Sequence, residues 1–341
     1  MRTYEVQIGD TIAKVALRHR LRVFDLLVHN PDLKSEKDYL PPGKKINIPD
    51  TKNHVILLNR YECLAEYGPS DLKDDIKRFF SYYRQYCTIE EIGKSVMGKP
   101  LYLFKIGRGK KEIFYSGGWH ANEWMTTKFL VDFLKELLIH LDKNKSWHSY
   151  DLTGIFKEVT LFCVPLVNPD GVELVQQGIY PGHPFYKEVL AINRGVKRFD
   201  HWSSNIRGVD LNHQWPAEWE KEAQGSPQIP WCRHYSGQRP LTEPEALAVY
   251  ELTMKQSFAY VLAFHSQGQI IYWGYRNLEP PESEEMAMRL SLKSSYTPVR
   301  TADSDAGYKD WFIQEMRRPG FTIEVGVGVN PLPFSAYPEI W

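Results

Sequence analysis

The run VTLFCVPLV from Val159 to Val167 is apolar at all but one position and is closed by Asn168, Pro169, Asp170 and Gly171. A segment with no polar face reads as a central strand of a sheet, and the Asn-Pro-Asp-Gly string reads as the turn that ends it. Three further strings read the same way. Glu112 to Ser116 (EIFYS) is a short buried strand broken by Gly117 and Gly118 and followed by an amphipathic helix over Thr126 to Leu141. VLAFHS is a strand ending in His265, and GFTIEVG is a strand in which Glu324 alternates with apolar neighbours.

The chemistry-bearing residues cluster at the ends of these strands. In FYSGGWHANEW, His120 and Glu123 form an H-x-x-E pair just past the first strand, on the carboxyl edge where open α/β sheets bind ligands. One imidazole and one carboxylate there, with His265 downstream as a second nitrogen donor, suit a zinc ion that keeps one position open. In NIRGVDLNHQW, Asp210 and Asn212 read as a Gly-started strand edge, and Asp210 is placed to accept the other ring N–H of a metal-bound histidine. A carboxylate at Glu324 in an apolar strand is costly unless paired or functional.

With these strings in hand, residues 65–341 resemble the zinc carboxypeptidases of the A and B type. H-x-x-E, N-P-D-G, G-V-D-x-N, the SGQRPLTEPE string from Ser236 to Glu245, H-S and T-x-E occur in that family's order. The resemblance implies an α/β fold with a mixed eight-stranded sheet flanked by helices. It implies one Zn²⁺ on His120, Glu123 and His265, with Asp210 supporting His120. It also implies that Glu324 takes a proton from water and passes it to the leaving amine.

The departures from that pattern concern substrate. Exopeptidase members follow G-V-D-x-N with an arginine that clamps the terminal carboxylate, whereas here Asn212 is followed by His213. The tyrosine expected about eight residues before Asp310-Trp311 is replaced, Ala302 standing nearest. Ser203 occupies the place of an oxyanion-stabilising Arg or Lys, which leaves Arg207 as the favoured replacement, with Arg198 and Arg194 as alternatives. Lys309, where the family lines the base of the pocket beyond the scissile bond, either selects a substrate carboxylate or points to water. Together with Asn212 and His213 it makes up the expected substrate-binding set.

The first fifty residues resemble a LysM module throughout, on Tyr4, Val6, Gly9, Asp10, Thr11, Asn30, Pro31, Leu40, Pro42, Gly43, Ile46, Ile48 and Pro49. The order strand, two short helices, strand is expected, with Asp10 or Thr11 capping the first helix. The resemblance implies binding of N-acetylglucosamine-containing glycan by Gly9, Asp10, Thr11 and Ile12 and by the loop of Asn30 and Pro31. A wall-glycan module joined to a zinc peptidase without its terminal clamps is similar to the γ-D-glutamyl-L-diamino acid endopeptidases of spore-forming bacteria. The expected substrates are peptidoglycan stem peptides. A metallocarboxypeptidase or amidase with a glycan anchor, and a silent glycan-binding protein, are the other readings.

The expected organisation is therefore residues 1–50 as the glycan module, 51–64 as linker and lead-in, and 65–341 as the peptidase domain. With 42 basic and 42 acidic residues the chain shows no basic stripe for nucleic acid. No apolar run approaches the length of about 18 residues that a membrane span needs. MRTYEVQIGD enters the module with no secretory pattern, so a cytoplasmic location with sporulation or wall association is expected. Cys63, Cys87, Cys163 and Cys232 have no ligand spacing and force no disulfide. Trp119, Trp124, Trp202, Trp215, Trp219 and Trp273 fall near the site strings, either lining a cleft or packing as core.

Overall fold

The computed structural model describes residues 2–19, 21, 23–35, 37–49 and 66–341. The expected linker and Cys63 lie outside the described residues. In the N-terminal module, β1 (Arg2–Glu5) pairs antiparallel with β2 (Lys45–Ile48) beside helices Ile12–Arg18 and Val23–Val28, in the expected order. Val6, Ile12, Val15, Leu26, Leu40 and Ile46 form its core. Thr11 is the N-cap, accepting the Lys14 N–H at 3.2 Å, while Asp10 accepts the Tyr4 hydroxyl at 2.6 Å and the Gln7 N–H at 2.7 Å.

The second domain is built on β3 (Cys87–Lys94), β4 (Pro100–Gly107), β5 (Lys111–Ser116), β6 (Val159–Val164), β7 (Tyr260–His265), β8 (Ile270–Tyr272), β9 (Thr297–Val299) and β10 (Gly320–Glu324). They form one eight-stranded mixed sheet in the order β3-β4-β6-β5-β7-β10-β8-β9. The four central strands, β6, β5, β7 and β10, run parallel, with antiparallel additions on both sides. Because side chains alternate across a strand, each apolar run feeds two cores. Leu161, Cys163, Leu262 and Phe264 pack with Leu130, Val131, Leu134 and Leu138 of the helix Met125–Asp142. Phe162, Val164, Val261 and Ala263 pack on the other face with Trp215, Val249, Trp311 and Phe312. This two-sided burial is the reason the run from Val159 has no polar face.

One expectation is corrected and one alternative decided. The Asp210–Asn212 stretch is a 3-10 turn, Leu211–His213, because the Asp210 carboxylate accepts the Asn212 N–H at 3.1 Å and caps the turn instead of leaving the backbone free for a sheet. Trp119, Trp202 and Trp215 are fully buried, so they belong to the core and line no cleft. Cys163 packs in the core as expected. Among the described residues no helix is long and apolar enough to cross a membrane.

Candidate metal centre

Strand β5 delivers His120 to the sheet edge through a backbone that only glycine permits at Gly118, whose φ is +61° and whose added Cβ would lie 2.5 Å from Thr127 Oγ1. Asn168 then pins the loop. Its side chain amide donates to Trp119 O and to Ser204 O, each at 3.1 Å, and its Oδ1 accepts the Gly171 N–H at 3.0 Å. The Asn-Pro-Asp-Gly string, expected as a turn, instead opens the helix Pro169–Gln177 with Asn168 as its N-cap, and in the same step fixes the neighbouring ligand loop. Ala121 N–H adds a bond to Ser203 O at 2.9 Å.

The structure brings His120, Glu123 and His265 together, with one donor atom of each within 4.8 Å of the others. His120 Nδ1 lies 2.8 Å from Glu123 Oε1 and 3.3 Å from His265 Nδ1, which is itself 3.1 Å from Glu123 Oε2. On its far side, His120 Nε2–H donates to Asp210 Oδ1 at 3.0 Å. That bond fixes the proton on Nε2 and turns the Nδ1 lone pair inward. Two inward imidazole nitrogens and a carboxylate, with room for only one proton between the nitrogens, form a donor set that fits a divalent cation and suits zinc.

The electrostatics agree with that fit. Burial opposes the charged form of His120, but the carboxylates of Glu123 and Asp210 outweigh it and raise its pKa well above the ordinary value. Burial opposes the charged forms of Glu123 and Asp210 as well, yet the adjoining histidines pull Glu123 down to about 2 and Asp210 far below the usual carboxylate range. His265, 1% exposed, is depressed by burial first, and its Nε2 has no hydrogen-bond partner among the described residues. Glu324 is pushed up to about 8, by burial foremost and then by the charge of Glu123. It ends β10 directly opposite His265.

The remaining expected residues are placed as follows. Asn212 Oδ1 accepts the Tyr308 N–H at 3.2 Å, tying the Asp210 turn to the helix Tyr308–Met316. His213 Nδ1 lies 3.2 Å from Glu222 Oε1. Lys309 is buried, so its ammonium does not point to water; it donates to Gly274 O at 2.8 Å and is ion-paired with Asp310. Ser203 is buried with no partner for its hydroxyl among the described residues. Arg207 is half-exposed with its guanidinium 3.4 Å from Glu243 Oε2, Arg194 lies 4.9 Å over the Trp231 ring, and Arg198 pairs with Asp200.

Sequence reasoning missed two supports of the centre. Asn330 donates to Ser266 O at 2.7 Å, accepts the Ser266 hydroxyl at 2.9 Å and comes within 3.5 Å of Glu123 Oε1, bringing the segment after β10 over the ligands. His234 donates its backbone N–H to Asp210 Oδ2 at 3.0 Å. The only signal for either was a polar residue in a loop adjoining a site string. The acidic Glu243 and Glu245 of the SGQRPLTEPE string are structural: Asn205 donates to both, and Glu245 also accepts the Val96 N–H at 3.0 Å.

Of the residues expected to hold glycan, the loop at Gly9 faces the peptidase domain. Asp10, Thr11 and Ile12 are buried, and a Cβ on Gly9 would meet Ser70 Oγ at 2.0 Å. Lys14, whose ammonium reaches the Gly9 carbonyl at 3.3 Å, pairs with Asp71 at 2.6 Å, and Tyr39 stacks on Tyr180 at 4.6 Å between centroids. Asn30 is satisfied within the module, by Leu26 O and by both backbone groups of Asn47, while Pro31 is exposed.

Residues 72–330 match the zinc carboxypeptidase family and residues 4–49 match the LysM domain. The chain is 45% identical over 275 residues to gamma-D-glutamyl-L-diamino acid endopeptidase 1 of Lysinibacillus sphaericus, covering 81% of this chain and 69% of that protein. It is 38% identical to the uncharacterized protein YqgT of Bacillus subtilis, covering 81% and 74%. Among solved structures, thrombin activatable fibrinolysis inhibitor superposes with a TM-score of 0.63 at 21% identity, covering 81% of this chain and 70% of that one, which shows a shared fold.

Proposed function

The chain belongs to the zinc carboxypeptidase family and carries a LysM domain, and we propose that it hydrolyses the bond between γ-D-glutamate and the diamino acid in peptidoglycan stem peptides. The observation that carries this reading is a complete ligand and base set, His120, Glu123, His265 and Glu324, beside a His213 where terminal-residue hydrolases place their arginine clamp. The similarity to an endopeptidase of that name supports it.

Zinc held by His120, Glu123 and His265 would polarise the scissile carbonyl and lower the pKa of a bound water to about 7. The protein's own groups do the rest. Asp210 holds His120 in the tautomer that presents Nδ1. Glu324, half-buried at the end of β10, accepts the proton of the attacking water and returns it to the amine nitrogen as the C–N bond breaks. The hydroxyl stays on the glutamyl carbon, the amine leaves neutral, and the carboxylate is ready for the next turn. Lys309 is expected to line the pocket for the leaving residue and Arg207 to favour the oxyanion, while the LysM module attaches the enzyme to N-acetylglucosamine-containing wall glycan.

The test is mass spectrometry of two muropeptides, the stem tripeptide and the tetrapeptide that adds a terminal D-alanine. An endopeptidase releases L-Ala-D-Glu fragments from both. Removal of D-alanine alone would move the assignment to a carboxypeptidase, and two intact peptides would leave a glycan-binding protein.

A further inference from the structure

The Asp210 carboxylate joins the metal ligand His120 to a second pair of imidazoles. Its Oδ1 accepts from His120 Nε2 and from the Asn212 N–H, and its Oδ2 accepts the His234 N–H at 3.0 Å. His234 and His213 come from different loops, yet their rings lie 5.5 Å apart, and one ring nitrogen of each falls within 4.8 Å of the Asp210 carboxylate and of the other. His234 adopts a left-handed backbone, φ +65°, which a non-glycine residue holds only where surrounding bonds impose it. Its ring is exposed and makes no hydrogen bond among the described residues, while His213 Nδ1 lies 3.2 Å from Glu222 Oε1 and has no hydrogen-bond partner among the described residues.

We propose that His234 and His213 together form the site that reads a carboxylate on the leaving side of the scissile bond, in the place of the arginine clamp that this chain lacks. The proposal rests on the hydrolase reading above and names the substrate feature that its site recognises. His213 occupies the clamp position, directly after Asn212, and His234 doubles the number of N–H donors that can converge there. Arg233, next in the chain, adds positive charge beside them. A carboxylate suits two imidazole donors better than a second zinc ion does. Asp210 already has both oxygens engaged, so the pair would give a cation two free protein ligands where zinc sites use three or four. Two imidazoles also hold the carboxylate less rigidly than a bidentate guanidinium, which fits an enzyme that need not insist on a chain end.

The experiment compares two peptides with the zinc-loaded full chain. One is L-Ala-γ-D-Glu-meso-diaminopimelate, and the other is the same peptide with the diaminopimelate carboxyl nearest the scissile amide converted to carboxamide. Wild type is expected to favour the free carboxylate by about 10- to 100-fold in kcat/KM, the range for hydrogen bonds to a charged group. His234→Ala and His213→Ala should erase most of that preference through KM, and His234→Gln, which keeps an N–H, should recover part of it. Equal cleavage of both peptides by wild type, or an undiminished preference in His234→Ala, overturns this proposal alone. A second equivalent of zinc in wild type that His234→Ala loses overturns it in favour of a metal site. No cleavage of either peptide by wild type overturns the hydrolase reading, and this proposal with it.

Discussion

Glu324 and His265 end their strands side by side, as the last paired position of β10 and β7. In a parallel pair, residues in register leave the sheet on the same face, so the proposed base and a candidate metal ligand are set by backbone hydrogen bonds before any side-chain contact is made. Glu324→Gln keeps the shape and removes the proton acceptor. Its kcat should fall by about 10²- to 10⁴-fold, the usual worth of a positioned acid–base group, with KM little changed. Steady-state kinetics on a stem tripeptide measures both.

Asp210→Asn keeps the size of the side chain that orients His120 but weakens its hold on the Nε2 proton. Zinc affinity should drop by about 10- to 100-fold. Competition with a chelator of known affinity reads the change directly, and an unaltered affinity would show that the loop around Gly118 and Asn168 orients His120 without help.

Stability of the metal-free chain should fall as pH rises toward 8, and Glu245 is one source of this beside Glu324. Burial above all, with Asp170 and Glu243 adding to it, raises the pKa of Glu245 from 4.5 to about 8. The folded chain therefore keeps a proton that the unfolded chain has released between those values, so this contribution is complete below pH 4.5 and is lost as pH climbs through the window. The slope is at most about 1.4 kcal/mol per pH unit. Urea midpoints for Glu245→Gln should show a flatter pH dependence than wild type over the same range.

The contact between Gly9 and Ser70 bears on glycan binding. The module presents its expected sugar loop to the peptidase domain, where Lys14 and Asp71 pair across the boundary. Asp71→Asn keeps the bond from the Gly68 N–H but weakens the ion pair to Lys14 that holds the loop against the peptidase domain, and the variant should bind chitin oligosaccharides more tightly than wild type, which isothermal titration calorimetry reads. Equal binding by both proteins would place the sugar site elsewhere on the module.

The metal centre was legible because strands buried on both faces leave unmistakable apolar runs, and the polar residues that end them stand out. His120, Glu123, His265 and Glu324 were found that way, whereas the module was read from its resemblance to LysM, at turn residues that have local causes. What was not legible depends on contacts between segments far apart in the chain. Asn168 reaches Ser204, Asn330 reaches Glu123 and His234 reaches Asp210, and nothing local marks such bonds. Asp210 was read as part of a strand edge because the pattern shows the residue and not the two loops its carboxylate gathers. The surroundings of Arg207, Arg198 and Lys309 were harder still, since a sequence position does not reveal which acid, Glu243, Asp200 or Asp310, will stand beside it.

The central claim is that one zinc ion on His120, Glu123 and His265 works with Glu324 to cut stem peptides. The most direct measurement is zinc content and muropeptide cleavage of wild type and His265→Ala, each prepared metal-free and reloaded. The account predicts one zinc per wild-type chain, cleavage restored in proportion to the zinc added, and neither zinc nor cleavage in His265→Ala. Full cleavage by metal-free wild type, or by His265→Ala, would contradict it.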